Sequence, residues 1–308
     1  MRACLVLLVL FSACTFISPS TPGGIDMLQG TQGVDIVIES VPGFVYENEQ
    51  FPVVFSLKNL GATNVSPQNP GRFFVGVDSL YLERDQYIAP GRFSAIPGGF
   101  FLSGRQPYIQ GEEVMITQFF TARPIQRQSQ RVTTPVTITA CYPYTTTLNT
   151  QVCIERTRVS DPGSVACVNR PIRPPTQGAP IVIHEVETRA VPRADSDDLS
   201  VSFRIVLRNA QRGIPGISGC FGDDINQNLT QVHVRARMLT EDLECGHDSD
   251  PYVATVRLTR GEGSVTCRLP ETSSIELAQN NFLTLLQVEV DYTYRISDRV
   301  EVNIVRVE

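Results

Sequence analysis

The chain has 308 residues and no tryptophan, and Lys58 is the one lysine among 26 basic residues. It has three histidines, His184, His233 and His247. Without tryptophan, a sugar-stacking face lacks its best ring. The histidines lie far apart and in no metalloprotease or nucleophile motif, and His184 and His233 fall in strand-like runs where a structural role is ordinary. There is no C-x-x-C, no G-x-S-x-G elbow, no Gly-rich phosphate loop and no dinucleotide fingerprint. We therefore expect no enzymatic activity and no cofactor. Positive charge is also scarce: the formal balance is −6, which removes the dense basic field that nucleic acid requires. Arginine's fork suits carboxylate pairing, but codon bias gives the same count, so nothing functional is drawn from the arginine excess. Helical periodicity is nearly absent. After residue 24 no apolar run reaches the about 20 residues that a spanning helix needs.

The length suits about two domains, and 42% hydrophobic with 19% charged residues is a folded composition. Residues 1–17, MRACLVLLVLFSACTFI, have one early positive charge and an apolar run of signal-peptide length, so export is expected. Leu10 to Cys14 resembles a lipobox, with Cys14 the residue that would be lipidated and Phe11 departing from the pattern. The alternatives are an ordinary signal cut nearer residues 18–24, or an uncleaved anchor. Residues 18–33 read as a Ser/Pro/Gly-rich tether. Three-plus-three cysteines on either side of residues 169–179 add to an extracellular reading.

What fills the rest is short alternating runs bounded by turn residues, with 22 glycines and 21 prolines. That pattern predicts an all-β chain of antiparallel sandwiches. Residues 34–168 read as a first sandwich, 169–179 (NRPIRPPTQGA) as a semi-rigid linker and 180–308 as a second sandwich. Lys58-Asn59 and Arg208-Asn209 stand in corresponding places, a weak internal repeat at an offset of 150 residues. Residues 136–155 read as a hairpin, with strands ending at Cys141 and Cys153 and a polar return between them. The C-terminus reads as two strands flanking 296–299, the last one an edge open to strand exchange, as is Val34 to Ser40.

The Val53 to Gly61 run and the repeated Asn make the chain resemble tandem immunoglobulin-like envelope domains of CARDB type. Those domains belong to exported bacterial and archaeal surface proteins. Ala140-Cys141-Tyr142-Pro143-Tyr144-Thr145, Val152-Cys153-Ile154, Cys167 and Gln177-Gly178-Ala179-Pro180 are similar to surface proteins of small-genome archaea. The resemblance implies fold and location; it implies no activity.

Cys141, Cys153, Cys167, Cys220, Cys245 and Cys267 are disulfide candidates, and the odd count on each side asks for a bridge between halves, two free thiols or a different boundary. Strand parity puts Cys141 and Cys153 off the apolar face, so a bond between them is conceivable, and Cys153–Cys167 equally so. The preferred set is Cys153–Cys167, Cys245–Cys267 and Cys141–Cys220. Phe73, Phe74, Tyr81, Tyr87 and Tyr108 form a candidate ligand face, although an aromatic core has the same composition. Asn64 and Asn228 head N-glycosylation sequons. Asp223, Asp224 and Asn226 form a weak calcium candidate; Leu229 and Arg235 at key positions exclude an EF-hand. The function expected is a surface structural or adhesion protein, with a carbohydrate- or protein-binding module or an accessory subunit assembled by strand pairing as alternatives. Partners would be the membrane, through the leader, and envelope proteins or glycans, with no nucleic acid.

Overall fold

The computed structural model describes residues 28–88, 98–106, 109–126, 128–155, 167–192, 199–220, 229–246, 250–271, 273 and 281–307. The leader, Cys14, Tyr108, Asp223, Asp224, Asn226, Asn228 and His247 lie outside them. Every regular element among the described residues is a strand. The first eight are β1 (Val34–Ser40), β2 (Val45–Tyr46), β3 (Gln50–Asn59), β4 (Gly71–Val77), β5 (Leu82–Ile88), β6 (Gly99–Phe100), β7 (Glu113–Ala122) and β8 (Arg131–Ile154). The other eight are β9 (Ile181–Pro192), β10 (Leu199–Asn209), β11 (Ile214–Gly216), β12 (Gln231–Met238), β13 (Glu241–Asp242), β14 (Ala254–Arg257), β15 (Glu262–Arg268) and β16 (Phe282–Val305).

They form a four-stranded sheet β1-β3-β7-β5, a three-stranded sheet β15-β10-β9, and a nine-stranded sheet along β13-β12-β16-β8-β4-β6 that also carries β2, β11 and β14. Alternation builds the two smaller sheets. In β3 the inward set Phe51, Val53, Phe55 and Leu57 is at most 2% exposed, and in β10 Val201, Phe203, Ile205 and Leu207 are fully buried. Both small sheets pack against the large one; Phe55 of β3 meets Phe73 of β4 edge-on at 5.8 Å.

The large sheet departs most from the sequence expectation. β8 is one continuous strand of 24 residues, with no hairpin at 142–150, and it pairs with β16 over its whole length from Arg131↔Val305 to Ile154↔Phe282. The polar stretch has no glycine or Asn-Gly to turn on, and its Thr run is β-branched and suited to a pleated surface. Pro143 is accommodated because β4 pairs with β8 only as far as Cys141, beyond which that flank of β8 is an edge. Residues 296–299 likewise continue β16 opposite Ala140 to Thr137. The C-terminal strand is therefore no simple edge: β8 runs along one flank, while β12, β11 and finally β2 take the other.

Each long strand begins in one lobe and ends in the other. Residues 131–141 of β8 lie beside β4, and 142–154 continue beside the part of β16 that pairs with β12. Conversely, β16 leaves β12 and ends in the first lobe against the start of β8. The 169–179 run leads into β9 and so passes from the large sheet to the three-stranded one, and it is itself docked: Ile172 bridges Val186, and Arg173 pairs with Glu185 at 2.8 Å. The 150-residue repeat also reaches the crossing, where Tyr142-Pro143-Tyr144 corresponds to Tyr292-Thr293-Tyr294. Pro143 faces Thr293 across the ladder, so the register itself obeys a pseudo-twofold axis through that pair.

Candidate functional site

Four tyrosines meet where the strands cross. Tyr142 lies opposite Tyr294 and Tyr144 opposite Tyr292, with ring centroids 5.9 and 5.8 Å apart. Their hydroxyls reach into the starts of both lobes. Tyr142 donates to the Val34 carbonyl (3.2 Å) and Tyr294 to Asn209 Oδ1 (2.8 Å). Tyr144 donates to the Gly178 carbonyl. Tyr292 Oη accepts the Ile181 N–H (3.2 Å). The repeat holds at atomic detail: Thr63 N–H donates to Tyr144 Oη at 3.2 Å and Gly213 N–H to Tyr294 Oη at 2.9 Å. Glycine is required beside these rings, since a Cβ at Gly61 would lie 2.1 Å from Tyr144 Oη and one at Gly213 2.3 Å from the Tyr294 ring. Burial pushes all four phenols above their ordinary range, and the neighbouring tyrosines add to the rise for Tyr142 and Tyr292. These hydroxyls are structural donors and acceptors at neutral pH.

The junction is closed by a covalent bond and a charge bridge. Cys141 on β8 is joined to Cys220 of the second half across 79 residues, and Thr293 Oγ1 donates to the Ser218 carbonyl beside it (2.6 Å). Arg212, from the second half, reaches Asp35 of β1 (3.9 Å) and Asp298 of β16 (3.5 Å). The other bonds are Cys153–Cys167 and Cys245–Cys267. Three disulfides fit an oxidising, extracellular setting.

The candidate ligand face is not one face. Phe73 and Phe74 are neighbours on β4 and point to opposite sides; Phe73 is buried against Phe55 and Tyr87, while Phe74 lies under the Arg72 guanidinium at 4.7 Å. Tyr81 is half-buried and Tyr87 is 37% exposed. Asn64 is exposed, with its Oδ1 accepting the Gly104 N–H at 2.7 Å. Among the described residues no group of three or more His, Cys, Asp or Glu is placed to hold a metal.

Two hollows lie on the second lobe; of the residues singled out from the sequence, Cys245 lines one, and Asn169 and Pro171 of the 169–179 run line the other. One, of about 570 Å³, covers the outer face of β9-β10-β15, with Arg189, Ser202 and Arg268 in one cross-strand row and Glu187, Arg204 and Thr266 in the next. The other, of about 680 Å³, runs between β14 and β15 and shares Thr266 and Arg268 with the first. The arginines come from four strands: register brings Arg189, Arg204 and Arg268 together, and the approach of β14 to β15 adds Arg257; the arginine excess was the one trace of them in the sequence.

No family model matches the chain, and no curated protein does. Among solved structures it is similar to the secreted serine protease VesC from Vibrio cholerae, at 9% identity and TM-score 0.23, over 84% of this chain and 50% of that one. The chain thus spans about half the length of VesC. It is also similar to a structure titled BspA_C_WT, at 7% identity and TM-score 0.17, over 90% of this chain and 100% of that one. The match to VesC, a serine protease, stands against the expectation of no enzymatic activity, and that expectation is withdrawn. Likeness at this TM-score carries no argument for proteolysis.

Proposed function

We propose that the chain is an exported surface module presenting two immunoglobulin-like lobes as one rigid body, a structural or adhesive element held at the membrane through its N-terminal leader. The likeness to tandem envelope domains, carried by Val53 to Gly61 and by Asn209, belongs to this proposal. So do its partners, which would be envelope proteins or glycans. The observation that carries the reading is the Cys141–Cys220 bond at the strand crossing, because a covalent bond between halves already joined by a 24-residue ladder fixes one arrangement of the lobes for display. Intact cells treated with a membrane-impermeant label, with and without reductant, test it. We expect labelling of the folded chain, no reactive thiol at Cys141 or Cys220, and a lipid-modified Cys14 in the membrane fraction. Recovery of the chain from the cytosol with those thiols free would sink the proposal.

A further inference from the structure

The groove between β14 and β15 has the chemistry of an acceptor for an extended peptide. β15 is the edge of its sheet, and its two ends are capped. Arg268 exchanges both backbone bonds with Glu244, at 2.8 Å each, and Glu262 does so with Thr259 at 3.1 and 2.8 Å. In an antiparallel strand alternate residues turn N–H and C=O to the same side, so Ser264 and Thr266 turn theirs into the groove, where no described residue pairs with them. The facing wall, β14, is bonded to β12 along one edge and carries no strand of the described residues on the other. The first lobe fills the corresponding place: β5 pairs with β7 from Leu82↔Ala122 to Ile88↔Thr117, where the described residues of the second lobe supply only the Glu244 bridge.

We propose that this groove binds an extended, acidic peptide segment of a partner protein, which adds as a strand to β15. Open backbone groups at two-residue spacing match the repeat of an extended chain. Charge selects acid: Arg257 and Arg268 outnumber Glu244, the one carboxylate of the groove lining, Arg189 lines the hollow continuous with it, and none of these arginines has a carboxylate partner among the described residues. Arg204 is already paired with Glu187 at 3.2 Å. The chain as a whole carries −6, so this basic strip stands out from its surroundings. The proposal takes from the surface-display reading only the place where partners are met.

The test is amide hydrogen exchange on the disulfide-intact protein with a synthetic peptide of about ten residues alternating Val or Thr with Glu. At about ten times its Kd, exchange at Ser264 and Thr266 should slow about tenfold. A Lys-for-Glu peptide and a peptide N-methylated on alternate amides should give no protection. R257E/R268E and T266P should lose binding while keeping the three disulfides and the unfolding midpoint, since proline is tolerated on an edge. Slow exchange at these amides in the free protein, or no protection by the Glu peptide, overturns the proposal. Equal binding of the N-methylated peptide, or protection by oligogalacturonate alone, overturns strand addition in favour of charge or of an acidic glycan. None of these results touches the cell-labelling test of display.

Discussion

Removing the Cys141–Cys220 bond is the most informative perturbation, because the value of each disulfide can be worked out from the loop it closes. The separations are 79, 22 and 14 residues for Cys141–Cys220, Cys245–Cys267 and Cys153–Cys167. With the chain-entropy relation these give about 4.5, 3.4 and 3.0 kcal/mol respectively at 25 °C. Nesting of Cys153–Cys167 inside the longest loop shortens it and trims its value to about 4.3 kcal/mol, leaving the order unchanged. All six cysteines are replaced pairwise by alanine. The pairs are similarly placed: Cys141, Cys220, Cys153, Cys245 and Cys267 are each no more than 6% exposed, so the cavity terms are comparable. Urea unfolding is followed by tyrosine fluorescence, which the absence of tryptophan leaves uncontaminated. With m of about 3 kcal/mol/M, the midpoint of the Cys141/Cys220 variant should fall about 0.4 M below that of the Cys153/Cys167 variant. Equal midpoints, or the reverse order, would refute the idea that this bond limits the unfolded chain most.

Alkali should unfold the protein steeply. The four buried phenols have folded-state pKa values raised above the unfolded value near 10, so their contribution is complete below that pH and is lost as pH rises through the folded values. Four protons released on unfolding correspond to a slope of about 5 kcal/mol per pH unit, and tyrosinate absorbance showing these phenols ionising near pH 10 with the fold intact would contradict it. Asn59→Ala should cost about 2–3 kcal/mol and Asn209→Ala about 1–2 kcal/mol, since of the two only Asn59 is fully buried, where it accepts the Gly61 N–H and donates to the Thr63 and Leu102 carbonyls. Calorimetry on the two variants would reveal any reversal. Thr134 and Thr284 occupy matching places in the repeat and each has a buried hydroxyl without a partner. Valine at either should raise stability by about 1 kcal/mol, and a loss of that size would show that the hydroxyl is bonded in solution.

The sequence made the strand class legible wherever one face is buried, as in β3, β7 and β10, because period-two burial writes itself into side-chain choice. It also placed Asn59 and Asn209 in corresponding positions and, through cysteine parity, offered a bridge between the halves beside free thiols or a different boundary. It could not show that β8 and β16 run on. A strand that passes from one lobe to the next keeps the same local alternation, and Tyr142 to Thr150 carries as many polar residues as a turn would. Tyr142 and Tyr144 could be placed at a junction of the halves, but reading those residues as a return hid their match to Tyr292 and Tyr294, at the same offset as Asn59 and Asn209, which extends the repeat to the crossing. The arginine strip was invisible for a different reason: Arg189, Arg204, Arg257 and Arg268 are scattered along the chain, and strand pairing, with the approach of β14 to β15 from the other sheet, makes them neighbours.

The exchange of the long strands also decides where mechanical force would travel. β1 lies in the first lobe, and β16 comes back there to end beside β8 and, in parallel register, beside β2 at Val45 and Tyr46. Tension applied between Val34 and Val305 is therefore borne within the first lobe and by the shear of parallel β2 against β16. The second lobe lies off that path, joined to the first through β8 and β16 at the crossing and by the Cys141–Cys220 bond, and stays slack while the first is loaded. A groove on that slack lobe would keep its shape under a pull that deforms its neighbour.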